Sequence, residues 1–244
     1  MSFYDGVKIS DTKRGSVIFR NFPSPAVNQL GNENAIASQV PPTNNNLSSS
    51  SWFTGTSAGG DALGFVKGST QSQPIMLLAE ARFLQAEAFS RGYLAGNVAT
   101  AFDDGIKASI RYLYKNAVGA VDATVDTETE LNTELATYKA NNATNVLVNY
   151  VGTPSLEAIF TQKYIALMYI TSDEAFNEFR RTGFPTIVNG SLTPTASFAS
   201  RLSNSTRADK LPARLPYPSS EFTTNAGNIP NVGIFTSLIF WDLN

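Results

Sequence analysis

The stretch from Pro154 to Pro185 constrains the fold more than any other part of this chain of 244 residues. Its first half places apolar side chains at steps of three and four, the period of a helix with a wide apolar face; they are Leu156, Ile159, Phe160, Tyr164, Leu167 and Ile170. Thr153 is suited to cap this helix, and Pro154 suits the first helical position, where a missing N–H costs nothing. The pattern therefore predicts a long apolar helix that begins at Pro154.

A second helix is predicted directly after the first. Thr171 and Glu174 have the spacing of a capping box, and Gly183 is typical of a residue that ends a helix. Arg180 and Arg181 fall in the last turn, where cations interact favourably with the helix dipole. The stretch is therefore interpreted as a helix–turn–helix corner that ends in two adjacent arginines.

A helical hairpin is predicted before this corner. One helix extends from Pro74 to about Ser90 with apolar stripes on two sides, and another extends from about Asn97 to Ala117. Gly105 lies inside the second helix and indicates a close helix–helix contact. The hairpin resembles a tetratricopeptide-like unit, although the sequence shows no clean repeat of about 34 residues.

A third, more polar helix is predicted between the hairpin and the corner. It extends from Asp122 to Asn142. Thr127 and Glu130 have capping-box spacing near its start, and Leu131, Leu135 and Tyr138 are expected to face inward.

The two ends of the chain lack a helical pattern. Residues 1–73 are rich in Asn, Ser, Gly and Pro, which predicts long irregular loops and at most short strands such as Val17–Arg20. Prolines in Leu211–Pro218 exclude a helix there and predict an extended strap.

The predicted fold is mainly α, with tetratricopeptide-like hairpins, long irregular loops and an extended C-terminal strap. It comprises a loop-rich segment (1–73), a helical core (74–185) and a loop and strap (186–244).

Composition excludes several classes of function. Cysteine and histidine are absent, which excludes imidazole and thiolate metal sites, Ser-His-Asp triads and Cys-His pairs. Charged residues make up 16% of the chain, the formal net charge is −2, and no run of lysines or arginines occurs. This balance argues against nucleic acid and against an anionic membrane surface as partners. No stretch approaches the roughly 18 apolar residues of a spanning helix, so no direct membrane insertion is expected.

Two glutamates on the first helix raise the question of catalysis. Glu80 and Glu87 are seven residues apart, or roughly 10 Å along a helix axis. A retaining glycoside hydrolase needs its carboxyl groups about 5 Å apart and an inverting one roughly 6.5–9.5 Å apart. Structural ion pairing is the favoured interpretation, with Arg180, Arg181 and Arg214 as available partners, because a buried carboxylate needs a cation. No catalytic residue, metal or cofactor is predicted.

Two large aromatic residues stand out in the N-terminal loops. Trp52 and Phe53 lie in a polar segment that offers them no obvious core. They can fold back onto the helices, form a stacking platform for a sugar ring, or contact a partner protein. As a platform they would have polar neighbours such as Asn46, Ser49 and Thr54. Trp52 and Phe53 are the predicted ligand-binding residues.

Several of these segments together resemble a known family. Gln162–Leu167 and Glu174–Pro185 look like the signature of SusD/RagB-type outer-membrane nutrient-binding lipoproteins, with Phe176 where a tryptophan is usual. Ala79–Gly92 resembles the family's helix rich in alanine and glutamate, and Leu211–Glu221 resembles its closing segment. The three motifs occur in the family's order.

The resemblance covers roughly residues 70 to 244 and carries functional expectations. It implies non-catalytic binding of oligosaccharides at the outer-membrane surface for uptake through a SusC-like TonB-dependent transporter. The start of the chain lacks a signal peptide and a cysteine for lipid attachment, so the chain is expected to be the C-terminal part of such a lipoprotein. Arg180, Arg181 and Gly183 are interpreted as architecture. The alternatives are a helical-repeat scaffold that binds only protein and, less favoured, a glycoside hydrolase.

Overall fold

The computed structural model describes residues 2–24, 52–53, 63–191, 196–199 and 203–242. The chain divides into two compact units, Met1–Ala175 and Phe176–Asn244. The first contains α1 (Thr12–Ile18), α2 (Leu78–Ser90), α3 (Val98–Leu113), the 3₁₀ helix Ala123–Val125, α4 (Glu128–Asn141) and α5 (Leu156–Leu167). The helix α6 (Ser172–Thr182) passes from the first unit into the second, which also contains α7 (Ser219–Thr224) and the 3₁₀ helix Ala226–Asn228. Strands β1 (Phe19–Arg20) and β2 (Trp52–Phe53) pair antiparallel. The prediction of a mainly α fold is confirmed.

The predicted hairpin is formed by α2 and α3. The rings of Phe83 and Phe102 meet edge to face across it, with centroids 6.0 Å apart. A Cβ atom on Gly105 would lie 2.7 Å from the Phe83 ring, so no larger residue fits there without displacement. The close contact predicted at Gly105 is therefore confirmed. Both helices are shorter than predicted: α2 begins at Leu78 and not at Pro74, and α3 ends at Leu113 and not near Ala117.

The helix starts show which capping signals the structure uses. The capping box of α4 is confirmed, because the N–H of Thr127 donates to Glu130 Oε2 at 2.8 Å. The predicted cap of α5 is wrong: Ser155 and not Thr153 caps the helix, and its Oγ accepts from the N–H of Ala158 at 3.1 Å. Ser155 directly precedes the first helical residue, so its hydroxyl reaches the orphan N–H of the first turn.

The capping box predicted for α6 does not form. The Thr171 hydroxyl is buried and has no hydrogen-bond partner among the described residues. Ser172 at the start of the helix instead accepts a hydrogen bond from the N–H of Tyr169 at 3.2 Å. The hydrogen bond between Tyr169 and Ser172 therefore fixes the turn before α6 in place of the predicted capping box.

The helix α1 was not predicted. Asp11 caps it by accepting from the N–H of Arg14 at 3.1 Å, and Val17 and Ile18 enter the core. The strand expected at Val17–Arg20 is therefore reduced to Phe19–Arg20. The loop-rich segment thus contributes a helix to the first unit.

A buried polar network ties α1 to three other helices. Arg14 is fully buried and donates to Asp11 Oδ2 at 2.5 Å, to Ser109 of α3 at 3.1 Å and to Gln162 of α5 at 3.2 Å. Gln162 in turn donates to the hydroxyl of Tyr138 of α4 at 3.0 Å. Burial alone would lower the pKa of Arg14, but the neighbouring Asp11 carboxylate outweighs it, so the pKa of Arg14 is raised. The four helices share one ionic centre.

The second unit has its own small core. Phe179, Ala199 and Leu211 are buried together, with Phe176, Ile187 and Phe198 packed against them. The segment Leu211–Pro218 has no helix, as its prolines predicted, and the N–H of Ala213 donates to the Ile234 carbonyl at 2.7 Å. Within the described residues of the whole chain, the helices are too short or too polar to cross a membrane.

Candidate functional site

An open cavity of about 310 Å³ lies in the first unit, between the loop before α2 and the turn after α5. The described residues that line it are aromatic, aliphatic or neutral polar, and none of them carries a charge at neutral pH: Phe65, Val66, Gly68, Gln71, Ser72, Gln73, Pro74, Tyr169 and Ile170. Cavities that combine aromatic faces with a few neutral polar groups suit small uncharged ligands.

Tyr169 occupies an unusual backbone conformation at this cavity. The residue lies just beyond the end of α5 with φ of +73°, in the left-handed region that a bulky side chain rarely adopts. Its N–H donates to Ser172 Oγ at 3.2 Å, which holds the turn in place. Such a conformation costs on the order of 1–3 kcal/mol and persists where the surroundings enforce it. Strain of this kind concentrates at functional sites, which singles out Tyr169 as a candidate site residue.

An aromatic cluster supports the Tyr169 ring. Phe65 lies 5.7 Å from it, centroid to centroid, and Phe19 of β1 lies 6.1 Å from it in an edge-to-face contact. Phe19 also contacts Tyr4 at 5.6 Å and Phe22 at 6.5 Å. Burial raises the pKa of Tyr169 to about 12, so its phenol is neutral at physiological pH. The wall of the cavity is therefore both aromatic and uncharged.

The loop that forms the other wall is fixed to the C-terminal end of α3 by Lys67. This lysine is buried, and its ammonium group donates to the Tyr112 carbonyl at 2.7 Å and to the Lys115 carbonyl. The side-chain oxygen of Gln71 accepts from the N–H of Lys67 at 2.8 Å. Burial, together with the charge of Lys115, lowers the pKa of Lys67 to about 8. The cation thus caps a helix end, and Gln71 connects it to the lining of the cavity.

Gly64 anchors the same loop from its backbone. Its N–H donates to the Leu113 carbonyl at 2.6 Å, and its φ is +87°. A Cβ atom at this position would lie 2.2 Å from the carbonyl oxygen of Val17. Only glycine fits here, because both the dihedral angle and the space exclude a side chain.

The predicted ligand-binding residues Trp52 and Phe53 lie on β2. Their backbone pairs with β1, in the register Phe19 to Phe53 and Arg20 to Trp52. Since Phe19 contacts Tyr169, the pairing places the β2 backbone beside the strand that supports the cavity wall. The side chains of Trp52 and Phe53, and the predicted neighbours Asn46, Ser49 and Thr54, lie outside the described part of the chain. Their role in binding stays a prediction.

Arg180 is at the centre of the second unit. Its Nη1 donates to the Ala213 carbonyl in the strap at 2.7 Å, and its Nη2 donates to Asn177 Oδ1 at 2.7 Å. The guanidinium also lies over the ring of Trp241 at 4.6 Å and over that of Phe176 at 5.0 Å. The hydrogen bond to Ala213 joins α6 to the strap within the second unit.

The rest of the corner motif forms local contacts. Arg181 forms an ion pair with Glu178 one turn earlier in α6. Gly183 ends the helix with φ of +76°, as its position in the sequence predicted.

The two glutamates of α2 differ in their surroundings. Glu87 is buried and accepts from Arg91 Nε at 2.8 Å, whereas Glu80 is half-buried. Arg91 lies one turn further along the chain and was not among the partners considered from the sequence. A cation at this spacing is a signal that the sequence does contain.

A second cavity, of about 390 Å³, lies in the second unit. It contains an ion pair between Arg207 Nη2 and Asp209 Oδ2 at 2.9 Å. Burial would raise the pKa of Asp209, but hydrogen bonds from Arg207 and from the Leu211 N–H lower it. The two charges satisfy one another, which favours a structural role. Among the described residues no group of acidic side chains is arranged to hold a metal ion.

Comparison with known families agrees with the helical framework and the sequence motifs. The model of the SusD-like family described as starch-binding associating with outer membrane matches residues 15–218. The chain therefore belongs to this SusD-like family. No curated protein matches it.

Solved structures of similar proteins include several from the same group. A SusD homologue from Bacteroides fragilis is 25% identical, with 61% of this chain and 29% of that chain covered and a TM-score of 0.43. A chitin-binding protein is 26% identical, with 68% and 33% covered and a TM-score of 0.46. A Bacteroidetes SusD-like protein is 24% identical, with 70% and 31% covered and a TM-score of 0.49. The chain spans about a third of the length of these proteins.

Proposed function

We propose that this chain is the C-terminal part of a non-catalytic glycan-binding protein at the outer-membrane surface. The observation that carries the proposal is the match of residues 15–218 to a family described as starch-binding and associated with the outer membrane. The protein would hold oligosaccharides and pass them to a SusC-like TonB-dependent transporter. A lipid anchor on an N-terminal part of the protein would keep it at the membrane.

The Tyr169 cavity supports the proposal as a binding site for sugar rings. Aromatic faces such as those of Phe65 and Tyr169 suit the apolar C–H face of a sugar, and neutral amides and hydroxyls such as those of Gln73 and Ser72 pair with its hydroxyl groups. A sugar ring that covers roughly 75 Å² of aromatic surface gains about 2 kcal/mol, or roughly thirtyfold in affinity. Binding at this site alone is therefore expected to be weak.

The remaining residues have secondary roles in the proposal. Trp52 and Phe53 stay the proposed additional ligand-binding residues, and their strand pairs with the one that carries Phe19. Arg180, Arg181, Gly183, Glu80 and Glu87 serve the architecture.

A protein-binding scaffold is the second candidate. The side chains of Ile75 and Met76, next to the cavity, are 99% and 53% exposed, and Leu78 at the start of α2 is 64% exposed. Exposed apolar side chains in one place favour a partner surface.

A glycan array, followed by calorimetry on the retained glycans, tests the proposal. We expect one or more oligosaccharides to bind, and we expect Tyr169→Ala and Trp52→Ala each to weaken binding by about tenfold or more. An exposed substitution away from the cavity, Thr144→Ala, is the matched control. Retention of no glycan, alongside capture of a protein partner, would favour the scaffold. Release of shortened sugars from a retained polysaccharide would establish an enzyme.

A further inference from the structure

We infer that the Tyr169 cavity selects uncharged saccharides and discriminates against glycans that carry carboxylate or sulfate groups. The inference rests on the proposed glycan-binding function and specifies the ligand class of the same site.

The described residues that line the cavity provide no counter-charge. The described lining residues contain one titratable group, the Tyr169 phenol, which burial keeps neutral at physiological pH. The polar groups that remain are the side chains of Gln71, Ser72 and Gln73. These groups match sugar hydroxyls and amides, whereas an anion moved out of water needs a cation or several converging N–H donors.

Lys67 does not fill that role, because its ammonium is already committed. It donates to the carbonyls of Tyr112, in the last turn of α3, and of Lys115, just beyond it, and its side chain is not part of the described lining. The end of α3 carries the negative end of the helix dipole, which offsets the lysine charge. An acidic ligand therefore meets little net attraction from this side.

The charges that follow the cavity in sequence are negative. Asp173 and Glu174 lie in the first turn of α6, directly after the turn that holds Tyr169, and both are exposed. They are well placed to stabilise the helix N-terminus, and they disfavour an approaching anion at low ionic strength. The discrimination is therefore expected to weaken as salt is added.

Pairs of glycans that differ only in charge provide the test. Malto-, manno- and chito-oligosaccharides are compared with their C6-oxidised counterparts, in which a primary alcohol has become a carboxylate. We expect the neutral member of each bound pair to bind the wild-type chain at least tenfold more tightly. We expect Gln73→Lys to narrow that ratio several-fold, because Gln73 is an exposed lining residue and a lysine there provides the missing cation.

Asn189→Lys is the matched control, since Asn189 is an exposed residue that lines the other cavity. It should leave the ratio unchanged. Ser72→Lys repeats the charge insertion at a second lining position, and thermal unfolding verifies that each variant is folded.

The outcomes separate the inference from the proposal beneath it. Equal or tighter binding of the oxidised glycans by the wild-type chain would overturn the inference and leave glycan binding intact. A shift in the ratio with Asn189→Lys but with neither Gln73→Lys nor Ser72→Lys would place the site in the other cavity, and would also overturn it. Failure of every glycan to bind would remove the proposed function and the inference with it.

Discussion

Arg180 donates a hydrogen bond to the main-chain carbonyl of Ala213 at 2.7 Å, and this contact joins the end of α6 to the strap within the second unit. The arginine is buried, and aromatic rings lie against its guanidinium on Phe176 and Trp241. A planar cation suits this position, because one group serves a carbonyl, an amide and two π faces at once. The contact explains why a chain with few charges places an arginine here.

Arg180→Ala should lower the free energy of unfolding by about 2–4 kcal/mol. It removes the hydrogen bond to the Ala213 carbonyl and the contacts of the guanidinium with the rings of Phe176 and Trp241. Arg181→Ala is the comparison, because Arg181 is the exposed end of its ion pair with Glu178, and its loss should cost less than that of Arg180. Urea denaturation of the two variants measures the difference. Equal stability of both variants, with loss of glycan binding in Arg180→Ala, would show that Arg180 serves the ligand instead.

Arg14→Met should be more damaging, by about 3–5 kcal/mol, because it leaves the Asp11 carboxylate buried without its cation. The double variant Arg14→Met with Asp11→Asn should recover part of the loss, since Asn keeps an oxygen for the helix cap and carries no charge. A double-mutant cycle in urea measures the coupling. Strictly additive losses would argue against one shared ionic centre.

The sequence predicted the parts of this fold that depend on local signals. The Thr127–Glu130 capping box and the close approach at Gly105 both lie within one or two helices, and both were found. The predicted cap of α5 was Thr153, whereas Ser155 caps it; residue type alone did not reveal the error, because both residues cap helices well.

Other features depend on partners far away in the sequence. Arg14 meets Ser109 and Gln162, which are 95 and 148 residues away, so nothing near α1 revealed the network. The cavity joins the loop before α2 to the turn at Tyr169, and the left-handed conformation of a tyrosine has no signal in the sequence. The aromatic residues of the N-terminal loops predicted a binding role for Trp52 and Phe53, which stays a prediction, and nothing in the sequence indicated Tyr169.

Tyr169→Gly tests two claims: that the left-handed backbone of Tyr169 is strained, and that its ring binds the glycan. Glycine adopts this φ freely, so the variant should be more stable than Tyr169→Ala by about 1 kcal/mol, while both variants should lose glycan binding alike. Thermal unfolding and calorimetry on the same samples give the two quantities. If Tyr169→Gly were less stable than Tyr169→Ala, the conformation would not be strained.

The last prediction concerns the pH dependence of stability at Lys67. Its pKa is lowered from 10.5 in the unfolded chain to about 8 by burial, so between these values the unfolded chain binds a proton that the folded chain does not. Stability then rises with pH across this window, because the cost of burying the charge disappears as the ammonium loses its proton.

Wild-type stability should therefore increase relative to Lys67→Met between about pH 8 and about pH 9.5, by on the order of 1 kcal/mol. Urea denaturation of both proteins across this range isolates the contribution, since Lys8, whose pKa is also lowered by burial, is common to both. The upper limit avoids the buried phenols of Tyr138 and Tyr164, whose pKa values burial raises and which oppose the trend above about pH 10. Parallel pH profiles for the two proteins would mean that the ammonium of Lys67 is effectively solvated and not confined between the carbonyls at the end of α3.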